Sequence, residues 1–169
     1  MKKLIILKSL VDFIWIVTCI PLVAILLFFA VYMFINPESL DFIFNENFPD
    51  SDKPIYIKQL FTSAYICLAI ASIYCLFVFR KTLRYFQKAK PFHSDVIQNF
   101  YKIGYLLVGV GLLGSILTFI SRIVLLGQFK ISTGLTPHLI LMCLGLFFMI
   151  LSETFKVAKH AKEENELTI

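Results

Sequence analysis

Four stretches of nearly uninterrupted apolar sequence, residues 13–35, 60–79, 104–126 and 135–152, decide what this chain can fold into. A helix needs about 20 apolar residues to cross the roughly 30 Å hydrocarbon core of a bilayer, and each stretch is of that order. Charged side chains make up 16% of the chain, against about 25% in soluble domains. Mean hydropathy is +0.82. The segments between the runs reach about two dozen residues at most, too few to bury a core of their own. The sequence therefore predicts an all-α membrane protein, a single integral domain over residues 1–169 with four transmembrane helices. An outer loop at 36–59 and a cytoplasmic loop at 80–103 separate the spans.

Charge sets the expected orientation. Six of the 16 Lys and Arg residues (Arg80, Lys81, Arg84, Lys88, Lys90 and Lys102) fall between the second and third runs, with Asp95 as the one acid there. Lys2, Lys3 and Lys8 precede the first run, and Lys156, Lys159 and Lys162 follow the fourth. The opposite connections, with Arg122 beside the second, hold the remaining four. Cytoplasmic flanks are enriched in Lys and Arg, so both termini and the 80–103 loop are expected in the cytoplasm. The net charge of +5 is used up in flanking spans, and no recognition helix or RNA-binding motif accompanies it, so no direct nucleic-acid partner is expected. The lysine-led first run resembles a signal peptide. It exceeds the usual 7–15-residue signal core and lacks an A-x-A-like site, so a retained helix is expected.

Local features refine this outline. Pro21 should kink the first helix, with the Thr18 hydroxyl nearby. Asn36-Pro37 ends it. DFIF (41–44) and PIYI (54–57) have the composition of a short hairpin. Ala64, Cys67, Ala71 and Cys75 form a small-residue stripe on the second span. Gly104, Gly109, Gly111, Gly114 and Ser115 enrich the third, so these two faces are expected to pack together. Helix two should continue about two turns past the bilayer, through Arg80, Lys81, Arg84, Gln87 and Lys88, until Pro91 breaks it. A helix then restarts at Ser94 or Asp95, with Asp95 and Gln98 as a capping box. Val96, Ile97, Phe100, Tyr101 and Gly104 share its apolar face, which reads as a short amphipathic helix at the membrane interface before span three. Arg122 is the candidate intramembrane charge, expected to snorkel or to pair with an acid of the outer loop. Pro137 suits the first position of span four.

Catalytic constellations are missing. His138 is expected on the outer side, away from His93 and His160, and the four cysteines show no CxxC spacing, so no metal site is indicated. GVGLLG (109–114) matches a dinucleotide-binding pattern by letters but lies within a span. No enzyme activity and no cofactor are expected.

Two stretches carry a resemblance. KPFHSDVIQNFYKIG (90–104) resembles the Pro-Phe, amphipathic-helix, Ile-Gly signature of the family catalogued as domain of unknown function 2975, the YoaS-like four-span bacterial membrane proteins. EENELTI (163–169) closely resembles that family's acidic ending. The family often has Gly before Pro-Phe, where this chain has Lys90. The resemblance implies a bacterial inner-membrane protein, often encoded beside a small Cro/CI-type helix-turn-helix regulator. On that basis Pro91, Phe92 and Asp95, together with Glu163, Glu164, Asn165, Glu166 and Leu167, are the candidate partner-docking residues. Two functions follow as expectations: an accessory or tether for such a regulator, or a small transporter or efflux/immunity-type factor within the lipid bilayer, as a possible homo-oligomer.

Overall fold

The runs at 60–79 and 104–126 lie within helices that outlast them, and the run at 135–152 enters its helix at Pro137. The computed structural model describes residues 2–40, 53–88, 91–127 and 136–167. Helix α1 (Lys2–Ile14) passes through a π-helical turn (Trp15–Cys19) into α2 (Ile20–Ile35), followed by α3 (Ile55–Gln87), α4 (Ser94–Leu126) and α5 (Pro137–Leu167). Hydrocarbon offers no water to backbone N–H and C=O groups, so each crossing segment must satisfy them internally as a helix. Among the described residues four stretches are long and apolar enough to span a membrane: Lys8–Ile35, Ile55–Gln87, Ser94–Leu125 and Pro137–Asn165. The protein is an all-α, multi-span membrane protein. At 33 residues each, α3 and α4 are about 50 Å long, well beyond the roughly 30 Å of a hydrocarbon core. Both must project from the membrane.

The proline in the first span is absorbed by a change of register. Pro21 has no N–H, and its ring would strike the carbonyl four residues back. Ile20 donates its N–H to the Trp15 carbonyl, one residue farther back than in an α-helix, and Pro21 falls in the first turn of α2. The expected kink is thus a π-bulge. At its far end α2 is tied to α3, where Gln59 Nε2 donates to the Met33 carbonyl at 3.0 Å. Met33, Leu40, Phe61, Ile66 and Leu125 form a buried cluster there.

The closest helix pair is α4–α5. A Cβ added at Gly104 would stand 2.6 Å from the Gly145 carbonyl oxygen, and one at Gly145 would stand 2.7 Å from that of Gly104. One at Gly111 would meet the His138 carbonyl oxygen at 2.8 Å. Backbone meets backbone along this seam, as small residues allow between membrane helices. Spans two and three do pack together as expected, but not through the glycines of span three. The third-span glycines turn toward α5, where Gly145 supplies the matching gap, while Cys67 of the α3 stripe is exposed and Cys75 is buried. Ser115 is exposed, and nothing lies within 4 Å of a Cβ at Gly109.

Three further expectations change. PIYI opens α3, with Pro54 as its N-cap, so it is no strand; DFIF lies outside the described residues. Residues 94–103 are not a separate interfacial helix but about the first three turns of α4. Val96, Phe100 and Ile103 are buried there among Cys75, Val78 and the rings of Phe86, Phe148 and Phe155. The projecting ends of α3 and α5 supply the apolar wall that the membrane surface was expected to supply. The cap is His93, whose Nδ1 accepts the Asp95 N–H at 3.2 Å, in place of the Asp95–Gln98 box.

Substituting Gly145→Ala should therefore lower thermal stability in detergent by about 1–3 kcal/mol through forced separation of α4 and α5. Gly109→Ala should be neutral or stabilising by up to about 1 kcal/mol, since it only improves helix propensity. Circular-dichroism melting of the two variants checks the contrast.

Candidate functional site

The three basic segments gather at one end of the bundle, and polar contacts brace them. Asp12 of α1 accepts from the Arg80 guanidinium of α3 and lies 3.4 Å from Lys8 Nζ. The Arg80 guanidinium also sits 6.0 Å from the centre of the Trp15 ring, which packs on Phe77 at 5.5 Å. Across the bundle, Ser152 Oγ donates to the Ile97 carbonyl at 2.8 Å and Lys159 Nζ to Ser94 Oγ at 2.9 Å, joining α5 to α4. Lys102 Nζ donates to the Tyr74 hydroxyl at 3.2 Å. The turn between α3 and α4 is held in the same way. The Tyr85 hydroxyl donates to Asp95, and its ring stacks on His93 at 5.1 Å.

A second polar group, which the sequence reading missed, links three helices in the other half. The Tyr65 hydroxyl of α3 lies 3.3 Å from both Thr118 Oγ1 and Ser121 Oγ of α4. Thr118 Oγ1 lies 3.1 Å from His138 Nε2 of α5. Ser121, fully buried, donates to the Thr118 carbonyl at 2.9 Å. The signal was present: Thr118, Ser121 and Arg122 recur at helical spacing on one face of α4. It becomes legible only when span two and span four are known to face that stripe. Among the described residues, no three His, Cys, Asp or Glu side chains come together as a metal site would require.

Residues 13–169 match the family described as Protein of unknown function (DUF2975), which takes in all four apolar runs and both resembling motifs. The chain belongs to the DUF2975 family. No curated protein and no solved structure matches it.

In this DUF2975 protein the candidate docking residues fall into two groups. Pro91, Phe92 and Asp95 are half-buried in the α3–α4 turn, where the Phe92 ring packs on Phe155 of α5 at 5.8 Å and Asp95 accepts from Tyr85. Glu163, Glu164 and Asn165 are exposed, and Glu166 and Leu167 continue the same helix. Glu163 lies 3.6 Å from Lys159 and 3.8 Å from His160. The Lys159–Ser94 contact sets the first group about one helical turn below the second. Arg122 is half-buried near the end of α4, with no ion pair to a described acid. Of the outer-loop acids expected to reach it, Glu38 makes no ion pair with it, and those at 41, 46, 50 and 52 lie outside the described residues.

Thr118→Val keeps the shape of the side chain and removes the link between Tyr65 and His138. It should cost about 0.6–1.7 kcal/mol, the range of interhelical hydrogen bonds in membrane bundles. The same substitution in a His138→Phe background should cost less, because the partner is already gone. Melting of the four-member cycle in detergent measures the difference.

Proposed function

We propose that this DUF2975 protein is an inner-membrane accessory that tethers a cytoplasmic helix-turn-helix regulator through its charged end. One observation carries the reading: α5 runs on to Leu167, so the acidic ending stands on an exposed helix and not on a loose tail. Residues 153–167 rise about 22 Å, enough to lift the glutamates clear of the lipid headgroups. A preformed helix loses less freedom on binding than a coil does. Exposed carboxylates suit the basic surface that a DNA-binding protein must carry. The gathering of the basic segments at one end supports a cytoplasmic placement of that end and of both termini, since all three obey the same charge rule. In this reading the chain is one integral unit without catalytic chemistry of its own. The regulator itself comes from the family resemblance.

A second reading, a small transporter or efflux/immunity-type factor, draws on the Tyr65–Thr118–His138 group and on Arg122 one turn beyond Thr118. Polar side chains inside a membrane commonly mark pathways, and a homo-oligomer would supply the lining that one chain lacks. Flux into vesicles that disappears on Arg122→Leu would favour it.

The deciding experiment is a crosslinked pull-down from native membranes. Intact protein should recover a helix-turn-helix protein, and both deletion of residues 163–169 and Glu163→Lys/Glu164→Lys should abolish recovery. Phe92→Ala is the weaker probe, because Phe92 also packs on Phe155. Recovery of lipid and further copies of the chain alone would defeat the tether reading.

A further inference from the structure

Where α3 leaves the bilayer its cations are not distributed evenly. Phe77, Arg80, Lys81, Arg84 and Lys88 all fall within about 100° around the helix axis, so they form one stripe. Phe77 is 43% exposed at its lower end, and Lys81, Arg84 and Lys88 are exposed above it. Two adjoining hollows lie along the stripe. One of 250 Å³ is lined by Phe77, Arg80, Lys81 and Arg84, and one of 200 Å³ by Lys81, Arg84, Tyr85 and Lys88. Arg80 is fixed in place by Asp12 and Trp15. Among the described residues no acid pairs with Lys81, Arg84 or Lys88, and Asp12 and Asp95 at this end are engaged by Arg80 and Tyr85.

We propose that this stripe is a binding site for the phosphate headgroup of an anionic phospholipid. Lys81 and Arg84, shared by both hollows, hold the phosphate. Lys88 extends the contact outward, and an acyl chain descends past Phe77. The order of chemistry along the helix, an exposed aromatic ring and then cations about one and two turns higher, is the order in which a lipid presents its chain and its phosphate. Arginine can grip a phosphate with two parallel N–H donors. A water-soluble acidic partner does not fit as well, because the floor of the site is an apolar ring within a membrane span. Other cations of this end are differently engaged: Lys156 lies 3.8 Å from Glu153, Lys159 3.6 Å from Glu163, and Lys102 on Tyr74. The proposal rests on the membrane-spanning architecture alone and is independent of the regulator reading.

Trp15, the single tryptophan of the chain, lies beside Arg80 and serves as an energy-transfer donor. Dansyl-labelled phosphatidylglycerol is titrated into the full-length protein in neutral detergent micelles. Transfer should saturate and should be reversed by unlabelled phosphatidylglycerol, but not by phosphatidylcholine or by inorganic phosphate. Lys81→Gln/Arg84→Gln should weaken binding about tenfold or more, whereas Lys156→Gln/Lys162→Gln, which removes the same charge from the same end, should stay within about twofold. Equal displacement by phosphatidylcholine would reduce the site to general lipid contact, and displacement by inorganic phosphate would make it an anion site without lipid selectivity. Equal weakening by the two double variants would show a diffuse charge effect. Each of these outcomes overturns the proposal. The competition arms use the unaltered protein and hold even where a variant fails to fold.

Discussion

The backbone contact between α4 and α5 at Gly104 and Gly145 is the constraint on which the rest of the bundle depends. Inside a bilayer the lipid tails are as apolar as any leucine, so helices gain little from burying apolar surface against each other. What remains is close packing, and these two helices reach it by presenting no side chain at the crossing. With that pair fixed, the aromatic rings of Phe148 and Phe155 line up against Phe100 at 5.8 and 5.6 Å. The resulting wall receives Cys75, Val78 and Phe86 of α3. The first helix is attached chiefly at two places, the Asp12–Arg80 contact at one end and the Gln59–Met33 contact at the other. Between them its π-bulge absorbs Pro21 without leaving a backbone carbonyl in conflict with the ring.

This arrangement gives the molecule two unlike ends. At one, ion pairs and hydrogen bonds brace α1 to α3 and α4 to α5, and α3, α4 and α5 project beyond the apolar layer. Such an end is stiff, and stiffness is useful in a docking surface because little freedom is lost on binding. Toward the other lies a group of hydroxyls and an imidazole held between three helices. Helix α5 belongs to both, with His138 in its first turn and Glu163 near its last. The lipid stripe on α3 faces a different requirement, the anchoring of the charged end in its own leaflet, and it uses the cations that the ion pairs leave over.

How much of this was legible in the sequence follows from the range of each interaction. The four spans could be read because apolar length is a local property. The run-on of α3 to Gln87 and the helix start at Ser94 could be read because Arg84 and Lys88 continue a polar side and Pro91 breaks it. What the sequence hid was partner choice. Gly104 and Gly111 announce a close approach without naming the helix approached, and the answer depended on Gly145, one glycine in an otherwise ordinary span. The same holds for Val96, Phe100 and Ile103. Their apolar face was visible, but whether lipid or protein covers it turned on Phe148 and Phe155, some 50 residues away in the chain. The sequence reading gave His93 no local role, whereas its ring nitrogen caps α4. The Tyr65–Thr118–His138 group was missed for the same reason: the polar stripe on α4 was there to read, but its partners come from two other spans.

The regulator reading depends on which side of the membrane the charged end faces. Single cysteines placed in a cysteine-free background at Ser94, Glu163 and Asn36 can be probed with a membrane-impermeant thiol reagent, in intact cells and after permeabilisation. Placement of the charged end in the cytoplasm predicts that positions 94 and 163 react only after permeabilisation, while position 36 reacts in intact cells. The reverse pattern would put the basic segments and the α5 stalk outside the cell and would contradict the account at its root.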